Sequence, residues 1–201
     1  MIESFGFKSK QCDIIRLPSG VRPEINLDIK EDFCFHLSLL TDERKNVKRL
    51  IEAAERYKFR LILAGGLQNQ KRRIELEEWL KDTEYVQYKG FLSEKDKIDL
   101  YKKAKVFALP SLNEGVGIVA LEAACYGCDI VITNVGGPKE YYNDLAEIVN
   151  PYSVDDIGIS IKKLLSGKTY QPELANYIEE HFSLEKISKQ LEASYMELID
   201  N

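Results

Sequence analysis

Six short apolar, β-branched runs, Phe33–Leu39, Phe59–Ala64, Tyr85–Tyr88, Lys105–Leu109, Asp129–Thr133 and Ala146–Val149, alternate with stretches of helical periodicity. That alternation is the pattern of βα units wound into a parallel sheet, and it constrains the fold more than any other feature of the chain. Val47, Leu50, Ile51 and Ala54 form a stripe at three- and four-residue spacing. Ser93, followed three residues later by Asp96, has the form of a capping box opening the helix that carries Ile98, Leu100 and Tyr101. After Asn150 the strands stop, and helices are expected over Val154–Leu165, Pro172–His181 and Leu184–Ile199, broken by Ser166-Gly167. The expected architecture is α/β, a doubly wound parallel sheet of about six strands with C-terminal helices.

The chain has 201 residues, 44% hydrophobic and 30% charged, which suits one well-packed domain. Residues 1–30 contain no complete βα unit, and Leu17-Pro18-Ser19-Gly20-Val21-Arg22-Pro23 is a turn-rich stretch of the kind that links domains. A net charge of -5 disfavours a nucleic-acid partner unless basic residues gather on one face. Lys95, Lys97, Lys102, Lys103 and Lys105 alternate with Glu94, Asp96 and Asp99, the composition of a solvated helix face. No run approaches the ~18 apolar residues of a membrane span, and residues 1–30 lack the layout of a signal peptide, so a soluble, cytoplasmic chain is expected. Cys12, Cys34, Cys125 and Cys128 are too scattered for a disulfide framework. Cys125 and Cys128 have C-x-x-C spacing, but no second pair or suitably placed His completes a metal site, and buried structural thiols are the expectation.

In open α/β sheets ligands lie beyond the carboxyl ends of the strands, so the segments that follow each strand carry the functional reading. They are Thr41 to Asn46, Gly65-Gly66, Ser111 to Gly117 and Asn134-Val135-Gly136-Gly137. Glycines let backbone amides approach a ligand, and the amides of a helix start suit a phosphate. A lone Gly65-Gly66 is more often an ordinary tight turn. Gly115 and Gly117 differ, because they open a helix whose apolar interior carries Glu122. With apolar residues on every side, that helix is expected to be buried nearly all round, with Glu122 aimed into a polar cavity and leaning back toward the loop of Glu114. Amides for a phosphate and carboxylates for hydroxyls together suit a nucleotide sugar. Two carboxylates also serve glycoside hydrolysis, where their separation decides, but the phosphate-suited glycines favour the first reading.

Glu114-Gly115-Val116-Gly117-Ile118-Val119-Ala120-Leu121-Glu122 is similar to the E-x(7)-E signature of the retaining GT-B glycosyltransferases called group 1, or family 4. The resemblance extends over about residues 15–199: "RLPSGV" resembles the interdomain segment, "RKNVKRLIEAA" the phosphate-binding helix start, and "LILAGG", "VQYKGFL" and "VFALPSLNEG" the successive strand ends. "NVGGPKEYY" resembles the Gly-Gly-x-x-E turn and "FSLEKISKQLEASYMEL" the terminal helix.

This resemblance implies a Rossmann-like domain, one half of a GT-B fold, over residues 31–201, with residues 1–30 an interdomain linker remnant and first strand. It implies the donor-binding half of a hexosyltransferase of polysaccharide biosynthesis, moving sugar from a nucleoside diphosphate sugar to an acceptor hydroxyl. Glu114 would be catalytic, at the donor sugar, and Glu122 would hold the ribose. Amides of Gly115, Val116, Gly117 and Ile118 would receive sugar or diphosphate, Arg44 and Lys45 would neutralise the diphosphate, and Gly65, Gly66, Gly90, Phe91 and Leu92 would border the remainder of the nucleotide. Glu140 would anchor the Gly136-Gly137 turn. UDP is slightly favoured over GDP. No cofactor and no metal are expected, and no D-x-D motif occurs. The N-terminal acceptor domain would be the missing partner, without which this chain is expected to be inactive; peripheral membrane association of the full enzyme stays open. The pattern departs from the family where Leu39 and Leu40 stand in place of a common Arg, Val116 in place of a common aromatic, and Asp129 in place of a common Pro. The competing readings are a non-catalytic nucleotide- or partner-binding module, split or degenerate, and a receiver-like signalling domain. The latter needs acids at the end of the first strand, where His36 to Leu40 provides none.

Overall fold

A computed structural model describes residues 14–199. All six expected strands form, as β1 (Glu31–Leu37), β2 (Leu61–Ala64), β3 (Val86–Tyr88), β4 (Ala104–Leu109), β5 (Asp129–Thr133) and β6 (Glu147–Val149). Every pairing is parallel, and the order across the sheet is β3-β2-β1-β4-β5-β6. β1 begins two residues before the apolar run because Glu31 pairs with Ala104 of β4 while its side chain stays exposed. The helices are α1 (Val47–Tyr57), α2 (Gln70–Leu80), α3 (Glu94–Lys103), α4 (Ile118–Cys125), α5 (Val154–Leu165), α6 (Glu173–Phe182) and α7 (Leu184–Ile199). Ser93 caps α3 as expected, its Oγ accepting from the Asp96 amide at 3.2 Å, but Asp96 Oδ2 accepts from that hydroxyl at 2.6 Å rather than from the Ser93 amide, so half of the capping box forms.

Alternate residues of each strand feed two cores, as the pleat requires. Phe33, Phe35, Ile62, Phe107, Leu109, Ile130 and Ile132 pack with Tyr101 of α3, Ala120 and Leu121 of α4, and Leu174 and Ile178 of α6. Cys34, Leu61, Leu63, Val106, Ala108 and Val131 pack with Leu50 and Ala54 of α1, Leu76 of α2, and Ile157 and Ile161 of α5. With both faces covered the sheet is doubly wound and Rossmann-like. Its chain order reverses between β1 and β4, where loops leaving in opposite directions open a crevice at the carboxyl edge.

The described part of the first thirty residues, from Ile14 on, contains no strand, only a 3-10 turn at Leu27–Ile29. Residues 1–13, including Cys12, lie outside the described residues. This segment is nonetheless tied down: the Leu17 amide donates to Tyr141 Oη, that of Ser19 to the Phe182 carbonyl, and that of Glu24 to the Cys125 carbonyl. At the amino edge of the sheet, Lys30 is half-buried beneath two helix ends. Its ammonium donates to the carbonyls of Tyr101 (3.0 Å), Ala104 (2.9 Å) and Tyr126 (2.8 Å). Asp129 also has a part to play here, since its Oδ1 accepts from the Tyr170 amide at 2.7 Å and from Thr169 Oγ1 at 3.3 Å. It fastens the α5–α6 connection to the start of β5.

Candidate functional site at the carboxyl edge of the sheet

The loops after β1, β2 and β3 are laced through their backbones. The Ser38 amide donates to the Ala64 carbonyl, that of Leu40 to Gly66, and that of Gly65 to Gly90. Gly65 has a φ of +130°, and a Cβ there would stand 1.8 Å from the Ser38 carbonyl oxygen, so the protein's own chain uses the space a side chain would need. Phe91, at the tip of the third loop, is 86% exposed, whereas Leu92 packs against the core.

The loop after β1 ends in a 3-10 turn, Glu43–Lys45, capped by Asp42, whose carboxylate accepts from the Arg44 amide at 3.0 Å. The Arg44 guanidinium folds onto the same carboxylate, with Nη2 2.6 Å from Oδ2 and Nε within 3.2 Å of both oxygens. These charge-assisted bonds hold the Asp42 carboxyl below its ordinary range. Asn46, left-handed at φ 58°, joins the turn to α1. Its buried amide donates to the carbonyls of Pro110 (2.9 Å) and Pro151 (2.7 Å), and its oxygen accepts from Arg49. One side chain thus fixes the loops after β4 and β6 to the start of α1.

Lys45 crosses the crevice. Its ammonium lies 2.7 Å from Glu114 Oε2. That carboxylate is held from its own side as well, by Ser111 Oγ at 3.0 Å on Oε2 and by the Gly115 amide at 3.3 Å on Oε1. The Glu114 backbone is clamped against the turn after β5, through Glu114 N to Val135 O and Gly137 N to Glu114 O. Gly136 has a φ of +99°, and a Cβ there would fall 2.0 Å from the Glu114 carbonyl oxygen, so only glycine permits this contact. Glu140 does not anchor this turn with its side chain, as expected from sequence; its carboxylate lies 3.6 Å from Arg16.

Helix α4 is not buried all round. Ala120, Leu121, Ala123, Ala124 and Cys125 are buried, but Ile118 is 42% exposed and Val119 and Glu122 are half-buried, so one face is open. Glu122 stands on that face, and its observed partner is Lys97 of α3, 3.2 Å away, rather than the loop of Glu114. Hydrophobicity alone misassigned this helix, since Ile118 and Val119 are apolar yet sit at the edge of the layer. Lys97 also reaches Glu94 at 2.8 Å. Burial works against its charge, but the two carboxylates outweigh burial and hold the ammonium above its ordinary range. The site residues therefore gather at one edge, with each signature carboxylate carrying its own lysine.

Asp42, Asn46, Lys97 and Ser111 were not singled out by sequence. For Asn46 a signal existed, an Asn directly before an apolar-periodic helix; Lys97 was hidden among alternating charges. His36, on β1, is fully buried, with Nδ1 2.8 Å from the Ala108 carbonyl and Nε2 2.7 Å from Ser38 Oγ, and burial pushes it down to about 4. Cys34, Cys125 and Cys128 are free and buried. Among the described residues no three His, Cys, Asp or Glu side chains gather as a metal site, and no helix is long and apolar enough to cross a membrane.

The sequence model described as "Glycosyl transferases group 1" matches residues 22–181. An uncharacterized glycosyltransferase of Methanocaldococcus jannaschii is 28% identical over 93% of this chain and 57% of its own length. The serotype-specific mannosyltransferase WbdA of Escherichia coli is 30% identical over 73% of this chain and 19% of its own length. Among solved structures, a sucrose-phosphate synthase from Thermosynechococcus elongatus superposes with a TM-score of 0.82 at 22% identity, covering 99% of this chain and 55% of that one. HepE of Anabaena, solved with UDP and glucose, gives 0.74 at 20% identity, covering 84% and 49%. The chain thus spans little more than half the length of these proteins, or less, and shares with the solved ones the Rossmann-like unit of the GT-B fold. By the family match over residues 22–181, it belongs to the group 1 glycosyl transferases.

Proposed function

We propose that this chain is the donor-binding half of a retaining glycosyltransferase, which moves a hexose from a nucleoside diphosphate sugar to an acceptor hydroxyl. The observation that carries the reading is the meeting of Lys45 and Glu114 across the β1–β4 crevice, beside the start of α4. A cation, a carboxylate and outward-pointing amides within one loop cluster are what a diphosphate joined to a polyol requires. Glu114 lies at the sugar, near the reacting carbon. Amides of Val116 to Ile118, with Arg44 and Lys45, take the diphosphate and stabilise the charge that grows on it as the sugar leaves, the Gly115 amide being held by Glu114; fixed dipoles and cations can do this without a metal. Glu122 accepts from the ribose hydroxyls, and the backbone of Gly90, Phe91 and Leu92, with Gly65 and Gly66, borders the base. The acceptor pocket belongs to a further domain, in keeping with the greater length of the relatives. Alone, this chain binds donor but transfers nothing, because half a cleft neither orients the acceptor nor excludes water.

Calorimetry with UDP-, GDP- and ADP-sugars tests the reading. One of them should bind, and Arg44→Ala with Lys45→Ala should weaken that binding at least tenfold while leaving the melting temperature nearly unchanged. Affinity untouched by the double substitution would refute the assignment. One observation favours a second reading, a non-catalytic nucleotide- or partner-binding module: Leu40, at one of the two positions where the family carries an Arg, is 1% exposed and belongs to the core. A longer parent protein that binds donor but shows no turnover with any acceptor would favour that module.

A further inference from the structure

Both cations proposed for the diphosphate are already engaged by carboxylates of this chain, and the two engagements differ. Asp42 holds Arg44 from within the same turn, with the Arg44 side chain 75% exposed and that of Asp42 12%. Glu114 holds Lys45 from across the crevice, where the side chains are 13% and 25% exposed. Glu114 is also fixed by Ser111 Oγ and the Gly115 amide, so its position does not depend on the lysine. Lys45 has four rotatable side-chain bonds and can turn toward a phosphate while Glu114 stays where it is.

Resting on the donor-site reading above, we propose that Glu114 is a specificity-determining gate on Lys45, which makes the site favour the nucleoside diphosphate sugar over the bare nucleoside diphosphate. The argument is one of donors and acceptors. When Lys45 turns to the diphosphate, the Glu114 carboxylate keeps Ser111 Oγ and the Gly115 amide but loses its one charged donor in a partly buried place, a modest cost of the size of a partly exposed ion pair. Sugar hydroxyls donate and replace it. A bare diphosphate offers only acceptor oxygens and like charge, so the loss goes uncompensated. Glu114 thus opposes the leaving nucleotide and tolerates the intact donor, which helps clear the site after transfer. Asp42 competes for Arg44 but caps the turn that bears it and is not placed at the sugar, so it should tax the two ligands equally.

The test measures the affinity of the 201-residue chain for UDP against UDP-glucose and for GDP against GDP-mannose, by calorimetry. Glu114→Gln removes the charge and keeps the shape. It should tighten the nucleoside diphosphate about threefold to tenfold, the range of a partly exposed ion pair, and leave the nucleotide sugar unchanged or weaker. Asp42→Asn, which retains a capping side chain, should tighten both ligands alike. If Glu114→Gln does not tighten the bare nucleoside diphosphate, the gate is wrong while the donor site stands. If the wild type binds none of the four ligands and no ADP-sugar, donor site and gate fall together. Should Glu114→Gln unfold the loop, as a melting curve would show, Glu114→Ala is judged by the same change in nucleoside diphosphate affinity.

Discussion

The two edges of the sheet treat a half-buried lysine in opposite ways. At the amino edge, Lys30 donates to three backbone carbonyls, those of Tyr101, Ala104 and Tyr126, at 2.8–3.0 Å, where α3 and α4 end. At the carboxyl edge, Lys45 meets a single side-chain carboxylate, Glu114, at 2.7 Å. Carbonyls at helix C-termini are fixed dipoles that cannot leave, and they lack partners of their own within the helix. Ammonium and carbonyls therefore satisfy each other permanently, even though burial pulls the Lys30 pKa down. A carboxylate on a loop can exchange its partner. The difference separates a cation that holds the fold from one that is available to a ligand.

The largest expected effect breaks the permanent arrangement. Lys30→Met removes all three charged donations at once, leaves the carbonyls of Tyr101 and Ala104 to the weaker Cys128 thiol donor, and should cost about 3–5 kcal/mol in urea unfolding. The fraction that remains folded should bind nucleotide sugar as the wild type does. A loss below about 1 kcal/mol would mean that water replaces the ammonium freely, and the contrast between the edges would fail.

Much of this fold was legible from sequence, and the failures share a cause. The bounds of β5, α5 and α7 match the sequence pattern to the residue; in β5 and α5 the apolar run or stripe records burial directly, whereas in α7 Ile187 is buried but Leu191 and Tyr195 are exposed. Lys30 was not legible: it lies in an ordinary polar stretch, and its partners are 71–96 residues away. Asp129 was recognised only as a departure from the family pattern; its purpose emerged from contacts to Thr169 and Tyr170, about forty residues on. At the site, Lys45 and Glu114 were both named, but their pairing across 69 residues was not, since pairing depends on which strands adjoin. The open face of α4 was lost for the same reason. Sequence pattern tells what a residue prefers, whereas strand order determines what it meets.

His36 sharpens the comparison, because it lies toward the ligand edge yet is satisfied as permanently as Lys30, by the Ala108 carbonyl and Ser38. Buried, it stays neutral down to about 4. The unfolded chain takes up its proton below about 6.5, so between these values the unfolded state binds more protons than the folded one. Stability from this group is therefore full above about pH 6.5 and falls as the pH drops toward 4, by roughly 3 kcal/mol in all. Urea unfolding of the wild type and of His36→Gln across that window should show a shallower slope in the variant. Parallel slopes would mean that the imidazole is not sealed from solvent and does not belong with the permanent groups.

The smallest effect on stability is expected where the effect on binding is greatest. Lys45→Met breaks one ion pair whose carboxylate keeps two other donors, Ser111 Oγ and the Gly115 amide. Partial exposure of both side chains lets water reach what the ammonium leaves behind, so the cost in unfolding free energy should be at most about 1 kcal/mol. That is several-fold less than for Lys30→Met, although each substitution removes one lysine charge from a partly buried position. Nucleotide sugar binding should respond in the reverse order, nearly lost with Lys45→Met and retained with Lys30→Met. Were Lys45→Met to destabilise the chain as much as Lys30→Met, its pair with Glu114 would be a clasp between β1 and β4, and a diphosphate could not take the lysine without loosening the sheet that presents it.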